Sequence, residues 1–425
     1  MKRNPVLMAA AGLLTALTGC DDHVATSYRS WSDADLIAVT NVSQTAGIPV
    51  GLKRLEVDNR FGAVRITGAT NQTCRWTWKL TVHARSNAAA QQFARRASCN
   101  AELEGGQLKL VLWLPDASEP HSVQSDFEIW VPKSAAVQIQ NRFGRTDLAT
   151  LDGEVEVADE NGPVEIRDVG GCVRARTSFN TLSVRNTGPA TLEDENGAVE
   201  AIAVHGLLDA QTSFNSLVAR DINGAASLRN RNGRIEATGI GGALDARTSF
   251  NSLVARDIGG PVRLRDQNGG IELLQAGGDA DVETSFNSLR VEGIQGDAIM
   301  VNRNGRVDAS GVTGSVSVST SFAAIEVAGA GSKFVCHNQN GPIRLRATSA
   351  AVTNIVAKTS FATLAVSLPA GLKPAIQART SLAEVESDFP VLMKPPGVDP
   401  FAGIAPETAR IALLNRNGKI SVVHD

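Results

Sequence analysis

The chain has 425 residues and a formal charge of −3, so it exerts no global attraction on nucleic acid. Apolar residues make up 43%, yet aromatics only 4%, and 39 glycines punctuate a chain whose bulk is Val, Ile, Leu and Ala. That is the profile of many short strands joined by tight turns, and the internal repeat argues for one elongated body over the two or three ordinary domains that the length allows.

Residues 1–19 read as a signal peptide. Lys2 and Arg3 form a basic start, and 6–17 is an apolar run too short to span a bilayer as a mature helix. The run ends in Leu17-Thr18-Gly19-Cys20, which resembles the lipobox of bacterial lipoproteins. The resemblance implies cleavage before Cys20, a diacylglycerol on its sulfur and acylation of its new amino terminus. The other reading is a plain secretory signal with an incidental Cys. Several acyl chains at about 0.8 kcal/mol per buried methylene would make Cys20 a durable membrane anchor. By the sorting habit of that family, Asp21 and Asp22 point to the inner membrane, with the outer membrane left open. Residues 20–50, rich in Ser, Thr, Ala and Asp, read as a tether.

Residues 51–136 hold a first coil carrying N-R-F-G at 59–62, the text that returns at 141–144. Between the two lies an insertion with a strand over 75–82, a helix over 86–98, and strands over 107–114 and 127–131. It is expected to cap the open end of a solenoid, which otherwise exposes unpaired strand edge. Trp76, Trp78, Trp113 and Trp130 fall here, as cap core or as a platform for sugar. Cys74 and Cys99 flank the excursion and are the expected disulfide of an exported chain. Cys172 and Cys336 lie some nine coils apart, about 45 Å at strand spacing, and read as small apolar fillers.

From 137 to 368 one station recurs at an interval of about 18 residues, shortened by one at a single step. It is held in turn by Phe143, Asn161, Phe179, Asn196, Phe214, Asn232, Phe250, Asn268, Phe286, Asn304, Phe322 and Asn340. A period this short describes one coil of a solenoid. Within a coil, apolar pairs such as Val262/Leu264 and Ile271/Leu273 are spaced by two, as in strands with one buried face. Left-handed β-helices share the period but build it from three hexapeptides; one hexapeptide beyond Leu253 stands Gly259, and then Arg265, so that pattern fails. The expectation is an all-β, right-handed parallel β-helix or β-solenoid of about 18 residues per coil with a small α+β N-terminal cap. Roughly 14 coils at about 4.8 Å make a rod of about 65–70 Å.

The residue after the station is Gly, Asn or Ala, so a positive φ is expected there. Strand parity points the station inward, together with the Thr, Asp or Asn two residues before it. The Asn/Phe alternation is then packing; should the Phe row face solvent, it becomes the best binding-site candidate. Of the outward columns, Arg229, Arg247 and Arg265 stack as a solvated face or an anion- or glycan-binding stripe. Residues 369–425 hold further coils, a Pro-rich excursion at 390–408 and a last N-R-N-G at 415–418.

These coil texts, the strand–helix–strand insertion and the closing N-R-N-G coil resemble a bacterial adhesin-like domain family of unknown function, exported β-solenoids with V-x-V-x-x-x-x-G-x-V-like coils, over about residues 50–425. The resemblance carries no catalytic residues, and it implies a surface or envelope-signalling role. No H-x-x-x-H, C-x-x-C, P-loop or nucleophile-elbow text occurs. The D-E-N-G texts at Asp159-Glu160 and Asp194-Glu195 are read as Asx-turns before they are read as catalytic acids. The expected function is a non-enzymatic, membrane-anchored envelope solenoid, adhesin-like or a scaffold, facing the periplasm. It would bind a protein or glycan on a lateral face, with no cofactor, metal or nucleic acid. The alternatives are a carbohydrate-active enzyme on the same scaffold and an envelope-stress signalling accessory.

Overall fold

A computed structural model describes residues 28–29, 37–48, 51–115, 122–393 and 399–425; the segment 1–19 expected to be a signal peptide, and Cys20, lie outside the described residues. The chain is nearly all β, a β-solenoid of about 13 turns at about 18 residues per coil, and its described residues hold a single helix, Asn87–Arg96. It forms two compact units, up to Asn180 and from Thr181.

In the N-terminal unit the first coil contributes strands Arg54–Asp58 and Val64–Ala69. The next coils stack on them in parallel, through Ala136–Asn141 and Thr146–Leu151. The insertion pairs with the first coil's other edges. Gln107–Trp113 runs along Arg54–Asp58, and Ser122–Pro132 runs along Val64–Ala69. Cys74–Ala84 extends the second sheet antiparallel to Ser122–Pro132. Ile37–Ile48 pairs in turn with Cys74–Ala84, so this part of the expected tether is strand. The helix starts where Ser86 Oγ accepts from Ala89 N at 3.2 Å. It ends with Arg95 and Arg96 in its last turn, and buries Ala90, Phe93 and Ala94. Trp76 and Trp78 are core, Trp78 Nε1 donating to Ser125 Oγ at 2.8 Å, and the Arg75 guanidinium covers the Trp130 ring. Trp113, by contrast, is exposed. Cys74 and Cys99 are separate thiols in place of the expected disulfide. Cys74 begins the strand that pairs with Ser122–Pro132, whereas Cys99 faces Leu112 in the other sheet, and burial pushes each thiol up to about 12.

In the C-terminal unit the coils from Leu182 to Asn302 each have a six-residue and a five-residue strand, such as Leu253–Ile258 and Val262–Asp266, and farther on the lengths vary, as in the four-residue Val307–Ser310. Each stacks in parallel on its counterpart in the next coil, Leu253 opposite Ile271 and Val262 opposite Ala280. Leu253, Ala255, Val262 and Leu264 fill the space between the sheets. The longer strand breaks parity once. Asp221, Asp257 and Gln275 adopt φ of 56°, 56° and 66°, and Gly239 and Gly293 fill the same position. That left-handed residue acts as a bulge, so Ile258 and Ala276 turn inward again and make the corner. The positive φ expected after the station is absent at Gly233, Gly269 and Gly305. Those glycines are needed for room instead: a Cβ on Gly269 would stand 2.0 Å from the Asn251 carbonyl oxygen of the previous coil.

Chain order and stacking order part at the C-terminus. Arg410–Asn415 lies between Asn354–Thr359 and Ala375–Arg379, paired with both. The closing N-R-N-G coil is thus threaded between two T-S coils, one ending at Phe361 and the other at Leu382.

Candidate functional site

The station is where the structure departs most from the parity expectation. Phe179, Phe214, Phe250, Phe286, Phe322 and Phe361 are 58–63% exposed, and Phe143 is 47% exposed. The inward column is the residue two before them: Thr212, Asn230, Thr248, Asp266, Thr284 and Asn302 are buried. The strand ends at that Thr or Asx, and the next three residues turn the chain, so alternation does not carry on to the Phe.

Hydrogen bonds explain why the coils alternate. In one coil Asn230 Oδ1 accepts from Gly233 N at 2.8 Å, an Asx-type turn closed on the N-R-N-G glycine. In the next, Thr248 Oγ1 donates to the carbonyl of that same Gly233 at 2.8 Å. Where an Asn follows the Phe it reaches back a coil: Asn251 Nδ2 donates to Asn232 O at 2.9 Å and Asn287 Nδ2 to Asn268 O at 2.7 Å, whereas Phe322 and Phe361 are followed by Ala. Asp266 and Thr284 repeat the scheme at Gly269. The backbone polar groups of the turn are thereby met by Thr, Asx and Asn side chains. The Phe ring takes no part.

The rings therefore stand in a row along the turn edge of the C-terminal unit, one on every second coil, about 9.6 Å apart at strand spacing. On the coils of this unit without a ring the station is a half-buried Asn, and the residue before it is exposed: Glu195 at the first of them, then Arg231, Gln267, Arg303, Gln339 and Arg416. The threaded C-terminal coil keeps the rhythm. Asn417 N donates to Ser360 O and Ser381 N donates to Arg416 O, so Arg416 stands between Phe361 and the exposed Leu382 although the chain reaches it last. Threading satisfies the same scheme, with Asn415 Oδ1 accepting from Gly418 N and Thr380 Oγ1 donating to Gly418 O.

Charge separates this edge from the strand faces. Arg229, Arg247 and Arg265 do stack as neighbours, but Arg229 meets Asp209 at 2.9 Å, Arg247 meets Asp245 at 3.0 Å and Arg265 meets Asp281 and Glu283. That stripe is neutralised and offers no free cation. A shallow depression of about 400 Å³ lined by Arg290, Asp308, Glu326, Arg344 and Arg346 is likewise laced with ion pairs. Arg231, Arg303 and Arg416 make no ion pair among the described residues. The residues were legible as N-R-N-G texts; their role as the free cations of the edge was not.

The acidic turn residues are structural. Asp159 Oδ1 accepts from Gly162 N at 2.7 Å and Asp194 Oδ1 from Gly197 N at 2.6 Å. Burial pushes both carboxyls up, against the pull of those amides. Among the described residues no cluster of His, Cys, Asp and Glu is placed to hold a metal, and no helix is long and apolar enough to cross a membrane.

No family model matches the chain, and no curated protein matches it. Among solved structures it is similar to a "putative cell adhesion protein" from Clostridium sporogenes, at 9% identity and TM-score 0.17, over 91% of this chain and 100% of that one. A "putative lipid binding protein" from Parabacteroides distasonis aligns at 10% identity and TM-score 0.19, over 70% and 96%. A "putative adhesin" from Bacteroides fragilis aligns at 10% and 0.14, over 90% and 97%. Superposition this poor assigns neither a family nor an activity.

Proposed function

We propose that the protein is a non-enzymatic, adhesin-like solenoid of the bacterial envelope that binds a partner along the aromatic turn edge of its C-terminal unit. One observation carries this: a periodic row of exposed Phe that the hydrogen bonding of the fold does not use. Scattered apolar residues on a surface are ordinary, but a row of large rings is the kind of surface that marks an interaction site. The strand faces, crossed by ion pairs, are the ordinary solvated surface beside it. Cys20 supplies the anchor in this reading.

Three measurements test the reading. Freed of its anchor by Cys20→Ser, the full-length protein should still be retained on isolated envelope fractions, and adding Phe250→Ser, Phe286→Ser and Phe322→Ser should abolish that retention, while retention equal to that of the Cys20→Ser protein with its Phe row intact would refute the edge as the binding surface. Cys20→Ser should move the protein from the membrane to the soluble fraction, and unchanged fractionation would sink the anchor. Non-enzymatic action is tested by glycan degradation: turnover abolished by changing a single carboxylate would overturn it.

A further inference from the structure

We propose that the edge of the C-terminal unit is a linear site for an acidic polysaccharide, one ring packing on each successive disaccharide and the intervening arginines meeting its carboxylates. This rests on the reading that the Phe row faces a ligand, and it names that ligand's class.

The first observation is periodicity. Rings about 9.6 Å apart, repeated without a break from Phe214 to Phe361, match a ligand that is itself a polymer with a repeat of that length. Two β-linked pyranoses in extended form have a repeat of closely similar length, and the C–H face of a pyranose packs on an aromatic ring. A bound β-strand repeats every two residues, about 6.6–6.8 Å, and falls out of step with the rings at once. A polyproline turn of about 9.3 Å keeps step but brings no anion.

The second is the density of charge. Arg231 and Arg303 are four coils apart, about 19 Å, with Gln267 midway between them. Single-stranded nucleic acid carries a phosphate about every 3.4 Å, far more charge than so sparse a row would neutralise. Anionic lipid surfaces are held by clustered Lys and Arg, which the row also lacks. A glycan with a carboxylate on some sugars and only hydroxyls on others fits alternating Arg and Gln. The guanidinium clamps a carboxylate bidentately and the amide serves a neutral hydroxyl pair.

The third is the threaded C-terminal coil. Placing Arg416 between Phe361 and Leu382 extends the same Arg-and-ring alternation by one more repeat, where chain order would have set two T-S coils side by side.

The test is affinity electrophoresis of the full-length protein in detergent through gels holding hyaluronan (a β-linked polymer with one carboxylate per disaccharide), a neutral β-glucan or no glycan, with sedimentation on anionic vesicles, an acid-free proline-rich peptide and oligo-dT as competitors. Retardation by hyaluronan is expected, and the β-glucan should retard the protein far less. The triple Arg231→Gln, Arg303→Gln, Arg416→Gln variant should weaken retardation about tenfold or more, as should Phe286→Ser with Phe322→Ser. Arg247→Gln, on the paired face, should leave it unchanged. Equal retardation of the Arg triple variant, equal binding to the neutral glycan, or preference for vesicles, peptide or oligo-dT would overturn the proposal. If envelope retention depends on the Phe row but hyaluronan does not bind, the ligand class is wrong and the binding edge stands; if retention ignores the Phe row, both fall.

Discussion

Phenylalanine holds the same station in both units, with different consequences. In the N-terminal unit Phe61 and Phe143 occupy it on adjacent coils, and their rings stack at 5.6 Å between centroids with planes 5° apart. They are 39% and 47% exposed. In the C-terminal unit an Asn coil always intervenes, ring–ring contact is lost, and each ring is about 60% exposed. Spacing therefore sets how far the ring is presented to solvent. Adjacent rings shield each other in part, and a row on alternate coils stays more open.

The comparison can be broken in several places. Its scale is set by Phe334, a ring of the C-terminal unit that is fully buried. Phe334→Ala should cost about 3–5 kcal/mol in chemical denaturation, and a loss near zero would mean that burial does not govern these rings at all. Asn302→Ala should come next. It strips Gly305 N and Asn287 O of their partner, and two buried polar groups left unmade cost about 2–4 kcal/mol. If the loss is within a few tenths, the Asx–Thr ladder is not what holds the turns.

The stacked pair itself is read by a double-mutant cycle. Phe61→Ala with Phe143→Ala should show a coupling of about 0.5–1.5 kcal/mol, whereas Phe250→Ala with Phe286→Ala should show none. Equal couplings would erase the distinction between the units.

A smaller effect sharpens the alternation. Asp266 takes the place that Asn230 and Asn302 hold in other Asx coils, but its Oδ2 has no partner, where their amides donate to the carbonyls of Asn215 and Asn287. Burial raises its carboxyl above the ordinary range, although the amides of Gly269, Asn268 and Gln267 pull it down. A carboxyl raised in the folded state stabilises when protonated, below its unfolded value, and that contribution is lost as pH climbs through the folded value. Asp266→Asn should thus stabilise the protein by about 1 kcal/mol at neutral pH. The gain should shrink as pH falls into the ordinary carboxylate range; a difference that is flat with pH would contradict the cause given.

Much of the fold was legible because the period is long-range and redundant. The inward pairs, the two strands per coil and the Thr or Asx column all follow from spacing by two within each repeat. The insertion's helix and strands were legible from the same kind of pattern, and the helix is observed at Asn87–Arg96. What parity could not reach were the positions where the chain leaves the strand. Phe250 lies two residues past the last strand residue Thr248, and turn geometry, not alternation, aims it. Gly269 was read for its φ, although a neighbouring carbonyl is what excludes a side chain there. The threading of Arg410–Asn415 between earlier coils is a contact between distant segments and leaves no local signal beyond the returning N-R-N-G text.

The central claim is that the solenoid does not need its aromatic row. Guanidinium denaturation of the Phe250→Ser, Phe286→Ser, Phe322→Ser protein beside the unaltered chain tests this most directly. The account predicts unfolding free energies that differ by no more than the roughly ±0.5 kcal/mol per site of ordinary surface substitutions. A loss of several kcal/mol, the size expected for buried rings, would contradict it and return the Phe row to the core.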